Sequence, residues 1–317
     1  MRIATYNIEW FAGLFDPEDR LLLDDKPARR GKTTRAGQAQ AIADVLRAVD
    51  ADLVVIVEAP NTGRSQSTPR ALMRFATQFN LRQRAAVMGF ENGTTQELAT
   101  LYDPKIVQLR HDPVGAPFED GTPDPAPRFD TSVLHDVDGD GRKERFVFSK
   151  PPVELAMDAP RKLRLIGVHV KSKAPHGASS EAEATAISIA NRRKQLAQCV
   201  WLRRRVEAHL GAGEDVIVLG DFNDGPGLDA YEALFGQSSV EVVLAPDAAP
   251  QMRLVDPHAM VRVRPRQGWT LSSARFWNED LQSHVGALLD YVMLSHGLAE
   301  QATWRIWHPF DRPECYE

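Results

Sequence analysis

A layered α/β fold is predicted by three observations. Strand-like and helix-like periodicities alternate along the whole chain. One strand candidate, Leu53–Val57, is a continuous apolar run, the pattern of a strand covered on both faces. Several apolar strands run directly into a residue type that is costly to bury without a partner. The 317 residues are 43% apolar and 26% charged, close to the globular average, so a sizeable core is available and wholesale disorder or a small stapled scaffold is excluded.

Taken in order, Arg2–Tyr6 alternates enough for a strand, and Ala36–Val49 sets Ala39, Ile42, Ala43, Leu46 and Val49 on one helical face. The buried strand Leu53–Val57 follows, then a helix over Pro69–Phe79 and a strand over Leu98–Tyr102. Asp112–Arg128 holds five prolines and several acids, which reads as an exposed irregular loop. With the DGDG stretch after it, residues 112–144 form an acidic Pro/Gly-rich insertion. Arg145–Phe148 and Leu163–Val170 are strand candidates. A long helix fits between Glu181 and His209, where Leu196, Val200, Val206 and Leu210 recur at helical spacing. Val216–Leu219 and Ala287–Leu294 complete the strands. No repeat and no long linker divides the chain, so a single domain over residues 1–317 is expected.

Thirty-eight Lys and Arg against 43 Asp and Glu leave a net charge of -5, so a polyanion would need a local basic patch. Two candidates exist. The loop Ala12–Arg35 carries Asp24 and Asp25 and then Arg29, Arg30, Lys32 and Arg35, which reads as solvated surface or phosphate contact. Lys171, Lys173 and His176, with Arg192, Arg193 and Lys194, would make a positive rim. Trp269, Phe276 and Trp277 read equally as an aromatic lip or as core. Cys199 and Cys315 are the only cysteines, which excludes a disulfide framework or a four-thiolate zinc site and fits a reducing compartment. Residues 1–10 lack a signal-peptide core and no apolar run is long enough to span a bilayer. A cytoplasmic monomer without a membrane span is expected.

The strand-end residues carry the chemistry. Asn7 follows the first strand, Glu58 follows LVVIV, His169 follows LRLIGV, Asp221 follows VIVLG, and Asp290 sits inside ALLDYVML. Singly each has a bland reading: Asp221 as a turn residue, Glu58 as a cap, His169 as a satisfied core group. Together they fall where layered α/β folds assemble sites, at sheet ends. Their oxygens are hard ligands suited to Mg2+ or Mn2+. A neutral His and a second Asp beside such a cation would bind a phosphoryl oxygen and position water, the equipment of phosphoester hydrolysis.

Five motifs, TYNIEWF, DADLVVIVE, GVHVKSK, GDFND and LDYVMLS, occur in this order over almost the whole chain. On them the chain resembles the endonuclease/exonuclease/phosphatase superfamily of deoxyribonuclease-I-like metal-dependent phosphoesterases. The resemblance implies a four-layer α/β sandwich, two packed mixed β-sheets flanked by helices. It further implies that Glu58 is the principal metal ligand with Asn7 beside it, and that Asp221 orients or deprotonates the attacking water. Asn223 would bond the phosphoryl oxygen, His169 would stabilise the transition state or assist the leaving group, and Asp290 would orient a histidine from a terminal Ser-Asp-His strand. This sequence is expected to lack that segment, with the natural chain continuing into it; His308 is the alternative, although no acid precedes it. Lys171, Arg192 and Trp277 would contact substrate. The implied function is a Mg2+- or Mn2+-dependent phosphodiester hydrolase, nuclease-like, with a phosphoester as partner, for which nucleic acid, a nucleotide, a sugar phosphate and a phospholipid all remain open. The alternatives are an impaired relative that binds phosphorylated ligands, or a phosphatase or phospholipase acting on a small phosphoester or lipid head group.

Other signals are weaker. Gly31-Lys32-Thr33 imitates the end of a phosphate loop, but Lys26 stands where the earlier glycine is required. No GxSxG or HExxH occurs. Asp136, Asp138, Asp140 and Gly141 reproduce half of a calcium loop whose twelfth position is Val147, so a polar hairpin competes with a weak structural Ca2+ site.

Overall fold

The computed structural model describes residues 1–29, 33–117, 124–158, 162–225, 236–263, 271–278 and 282–307. These form two compact units, the first comprising Met1–Asp112, Ser149–Val168 and the segment from Trp307, the second Pro113–Phe148 and His169–Ile306.

In the first unit β1 (Ile3–Asn7) lies parallel to β2 (Leu53–Ala59), and β3 (Ala85–Met88) and β4 (Glu97–Tyr102) extend the sheet antiparallel in the order β1-β2-β4-β3. As the unbroken apolar run requires, Leu53–Val57 is buried throughout. Helix α1 (Arg35–Val49) begins where the Thr34 side chain accepts the Gly37 amide. It buries Ala39, Ile42, Ala43, Leu46 and Val49, the face expected from the sequence. Helix α2 (Thr68–Gln78) is capped by Ser67 and buries Leu72 and Phe75 against the same core. A second ladder runs β5 (Leu109–His111), β8 (Val153–Met157), β9 (Leu163–His169), with β9 ending where the second unit begins. The two sheets of this unit meet face to face at Gly167, where a Cβ would lie 2.7 Å from Val153 Cγ1 and 2.9 Å from Val55 Cγ1. Only glycine lets the backbones approach this closely.

In the second unit β6 (Val133–His135) and β7 (Glu144–Phe146) make a hairpin. The long helix α3 (Glu181–Gly211) is capped by Ser180 and extends slightly beyond the expected bounds. Strand β10 (Asp215–Asp221) pairs antiparallel with β14 (Asp290–Ser295), which also holds the short β11 (Leu254–Val255). Strands β12 (Ala274–Asn278) and β13 (Ser283–Ala287) form a further hairpin. Mixed sheets with helices on them are the α/β class read from the sequence, and among the described residues no helix is long and apolar enough to cross a membrane.

Three expectations need correction. Arg145–Phe148 is strand only over Glu144–Phe146, confined to the outer hairpin, and Val147 is 42% exposed. The expected strand Ala287–Leu294 is two strands, because the Ser273 hydroxyl accepts the amides of Leu289 and Asp290 (3.0 and 2.9 Å) and interrupts the ladder. The proline-rich insertion is tied down at its C-terminal end rather than irregular throughout. Trp201 Nε1 donates to Pro127 O (2.7 Å), Arg205 to Ala126 O (2.6 Å), and Phe129 is fully buried against Trp201. Residues 118–123 of that stretch lie outside the described residues.

Candidate active site

Each unit carries part of the expected residue set. In the second, the apolar strand β10 ends on Asp221, whose buried carboxylate sets Oδ2 3.8 Å from His169 Nε2. Asp221 Oδ1 accepts the Asn223 amide at 2.7 Å, and the Asn223 Nδ2 donates to Val170 O at 3.0 Å. Val170 N in turn donates to Asp221 O (2.9 Å). The turn needs a left-handed residue at Asn223 (φ 50°), which asparagine tolerates better than most. His169, Asp221 and Asn223 are therefore brought together, with Asp290 opposite Asp221 across the β10–β14 ladder. Burial first, and the charge of Asp221 second, push the Asp290 carboxyl well above the usual carboxylate range, against the hydrogen bond from Ser273 Oγ (2.8 Å). Its Oδ1 is buried with no hydrogen-bond partner among the described residues.

A buried polar network holds this turn. Asp224 accepts Lys173 Nζ (2.6 Å), Arg192 Nη1 (2.7 Å) and the Ser239 amide (2.7 Å). Burial opposes its charge, but Lys173 and Arg192 outweigh that and hold the carboxyl below its ordinary value. The Gln195 Nε2 donates to Lys171 O (3.0 Å), Phe222 O (3.3 Å) and Asn223 O (3.1 Å), clamping both chain segments that carry the site. Arg192 was expected on an exposed positive rim opening the long helix. It lies instead within α3 at 0% exposure, so it cannot meet substrate; its position is fixed by Asp224, Gln195 and Ser239. Arg193 pairs with Asp138 and Glu144. Of the remaining rim residues Lys171 and Lys194 are half-buried and His176 is exposed, while Lys173 is engaged by Asp224. Burial first and the charge of Lys171 second hold Lys194 below its usual range, so the two ammoniums share one region.

In the first unit Asn7 ends β1 beside Val57, and Glu58 follows at the same end of the sheet. Val57 pairs with Leu98 and Ala59 with Glu97, so Glu58 is the extra residue of a β-bulge, with φ 60°. Holding a non-glycine residue there costs on the order of 1–2 kcal/mol. The bulge aims the half-buried carboxylate out of the ladder, where Oε2 accepts Gln96 Nε2 at 2.7 Å.

Glu97 escaped the sequence reading, since a glutamate before an apolar strand looks like an ordinary strand edge. It is fully buried, Oε2 accepts Asn92 Nδ2 (2.6 Å), and burial pushes its carboxyl from 4.5 up to about 7. Because the folded state then binds more protons than the unfolded one, stability falls as pH rises from about 4.5 to about 7. Glu97→Gln is expected to remove that slope, which is worth on the order of 2 kcal/mol. Urea denaturation at pH 5 and pH 8 checks it, and an unchanged slope would refute the assignment.

Asp136, Asp138 and Asp140 each offer an oxygen within 4.8 Å of the others. Asp136 is already engaged by the Gly139 and Gly141 amides (2.8 and 2.9 Å) and Asp138 by Arg193 (2.9 Å), the contacts of a polar hairpin between β6 and β7. In the basic loop, Arg35 pairs with Asp24 (Nε–Oδ1 2.7 Å), while Arg30 and Lys32 lie outside the described residues, as do Trp269, His308 and the side chains of Phe276 and Trp277.

The profile described as Endonuclease/Exonuclease/phosphatase family matches residues 4–312. No curated protein matches. Among solved structures, a functionally unknown conserved protein from Enterococcus faecalis V583 is 15% identical, covering 93% of this chain and 87% of that one, with a TM-score of 0.46. A humanized D. rerio TDP2 is 13% identical over 93% and 83% (TM-score 0.44), and an AP endonuclease from Archaeoglobus fulgidus 10% over 83% and 83% (TM-score 0.43).

Proposed function

We propose, because the chain belongs to the endonuclease/exonuclease/phosphatase family, that this phosphoesterase is a divalent-metal-dependent phosphodiester hydrolase acting on nucleic acid by in-line attack of water on phosphorus. The observation that carries the reading is the buried Asp221 held 3.8 Å from His169, with Asn223 fixed on Val170. Asp221 takes the proton of the attacking water as its oxygen bonds to phosphorus. Asn223 donates to a phosphoryl oxygen as charge builds there. The P–O bond to the leaving group breaks, and His169 protonates or hydrogen-bonds the departing oxygen. Lys171 attracts the phosphate, with Lys194 adding to the local positive charge.

Asn7 and Glu58 suit a hard divalent cation: both offer oxygen, they lie at the same end of adjacent strands, and the bulge sets Glu58 out of the ladder register. Mg2+ or Mn2+, when bound, supplies positive charge that neutralises the phosphoryl oxygens. Glu58→Gln keeps the shape and removes the charge, and is expected to weaken Mn2+ affinity by about tenfold or more with little change in melting temperature. Calorimetric titration showing unchanged affinity removes Glu58 from the ligand set. For the function itself, release of nitrophenol from bis-p-nitrophenyl phosphate and nicking of plasmid are measured with Mn2+ and with a chelator. No turnover of either would refute the hydrolase reading and favour a relative that only binds phosphorylated ligands.

A further inference from the structure

We propose that Trp10, with Arg29 stacked on it, is a platform for a nucleobase of a single-stranded substrate; this deepens the phosphodiester reading by naming the substrate class. Trp10 lies three residues beyond Asn7 and is 40% exposed. Its backbone is left-handed (φ 64°, ψ 23°), a conformation that a bulky side chain rarely adopts. The fold enforces it from both sides. Phe11 N donates to Ile8 O (3.0 Å), Gly13 N to Trp10 O (3.0 Å), and Phe11 and Leu14 are buried. The chain thus anchors the neighbours of Trp10 in the core and turns a large aromatic ring outward, at a backbone position where glycine would be easier.

The Arg29 guanidinium carbon lies 5.2 Å from the ring centroid, and the side-chain stem passes over Gly13, whose Cβ would stand 3.4 Å from Arg29 Cδ. An aromatic face with a guanidinium beside it is the pairing that single-stranded nucleic acid uses, the base on the ring and the phosphate near the cation.

Trp10→Gly separates this role from folding, since glycine relieves the left-handed strain. Binding of labelled short single-stranded DNA is measured by anisotropy in a chelator, so the readout needs no turnover and is independent of whether the hydrolase reading holds. An abasic strand of equal length is the comparison. The expected result is a melting temperature unchanged or raised, affinity for the base-bearing strand lower by about tenfold, affinity for the abasic strand unchanged, and Trp10→Phe close to wild type. Equal affinities of Trp10→Gly and wild type for the base-bearing strand would overturn the proposal. So would an equal loss on both strands, or Trp10-dependent binding to phosphatidylcholine vesicles without binding to DNA.

Discussion

Asp221→Asn is expected to lower kcat on bis-p-nitrophenyl phosphate by about 10^3-fold while KM changes little. The amide keeps the volume and an oxygen for the Asn223 N–H (2.7 Å in the native turn), so the Asn223 geometry survives. What is lost is the carboxylate proposed to take the water's proton. The same change removes a negative charge opposite Asp290, so Asp290, raised first by burial and second by Asp221, should titrate at lower pH than in the native protein. A carboxyl raised in the folded state contributes stability that is lost as pH rises, so this pH-dependent loss should shrink in the variant. Rate assays with Mn2+ and denaturation across pH test both halves. A rate within tenfold of the native one would refute the base role, and an unaltered pH profile of stability would uncouple the two carboxylates.

Legibility in the sequence follows how local each cause is. The buried face of α1 and the strand β2 are written in a dozen adjacent residues, and both are as expected. His169, Asp221 and Asn223 are also local, each at or just past the end of an apolar strand, and they meet within one unit. The burial of Arg192 is not legible locally, because an Arg-Arg-Lys run on a helix reads as solvated surface while the partner that holds it, Asp224, lies 32 positions away. The break in Ala287–Leu294 depends likewise on the distant Ser273, and the bulge that sets Glu58 apart appears only in its register with Leu98 and Glu97. Short strands such as β5 and β6, three residues each, carry too few positions for a period to show.

Arg192→Met is expected to destabilise the protein by about 3–5 kcal/mol, the range for removing one partner of a buried ion pair. Methionine fills the space, but Asp224 then keeps the Lys173 ammonium without the guanidinium, and the Ser239 hydroxyl (2.9 Å) and Gln237 carbonyl (3.1 Å) lose a donor. The penalty is that of an undercompensated buried carboxylate, so it should depend on pH. Asp224 has its pKa lowered in the folded state, and its contribution is present above the ordinary carboxylate range and lost as pH falls through the folded value. The variant should therefore lose less stability on acidification than the native protein, and the two should converge at low pH. Adding Asp224→Asn to Arg192→Met removes the stranded charge and should recover part of the loss, since Lys173, unlike Arg192, is partly exposed and can turn to water. Because Gln195, bonded to Arg192, clamps Asn223 through its carbonyl, the single variant should also lower kcat, with the double variant recovering stability before rate. Urea titrations of both variants at pH 4 and pH 8 decide it: a loss independent of pH, or no recovery in the double variant, would mean that the arginine acts through packing alone.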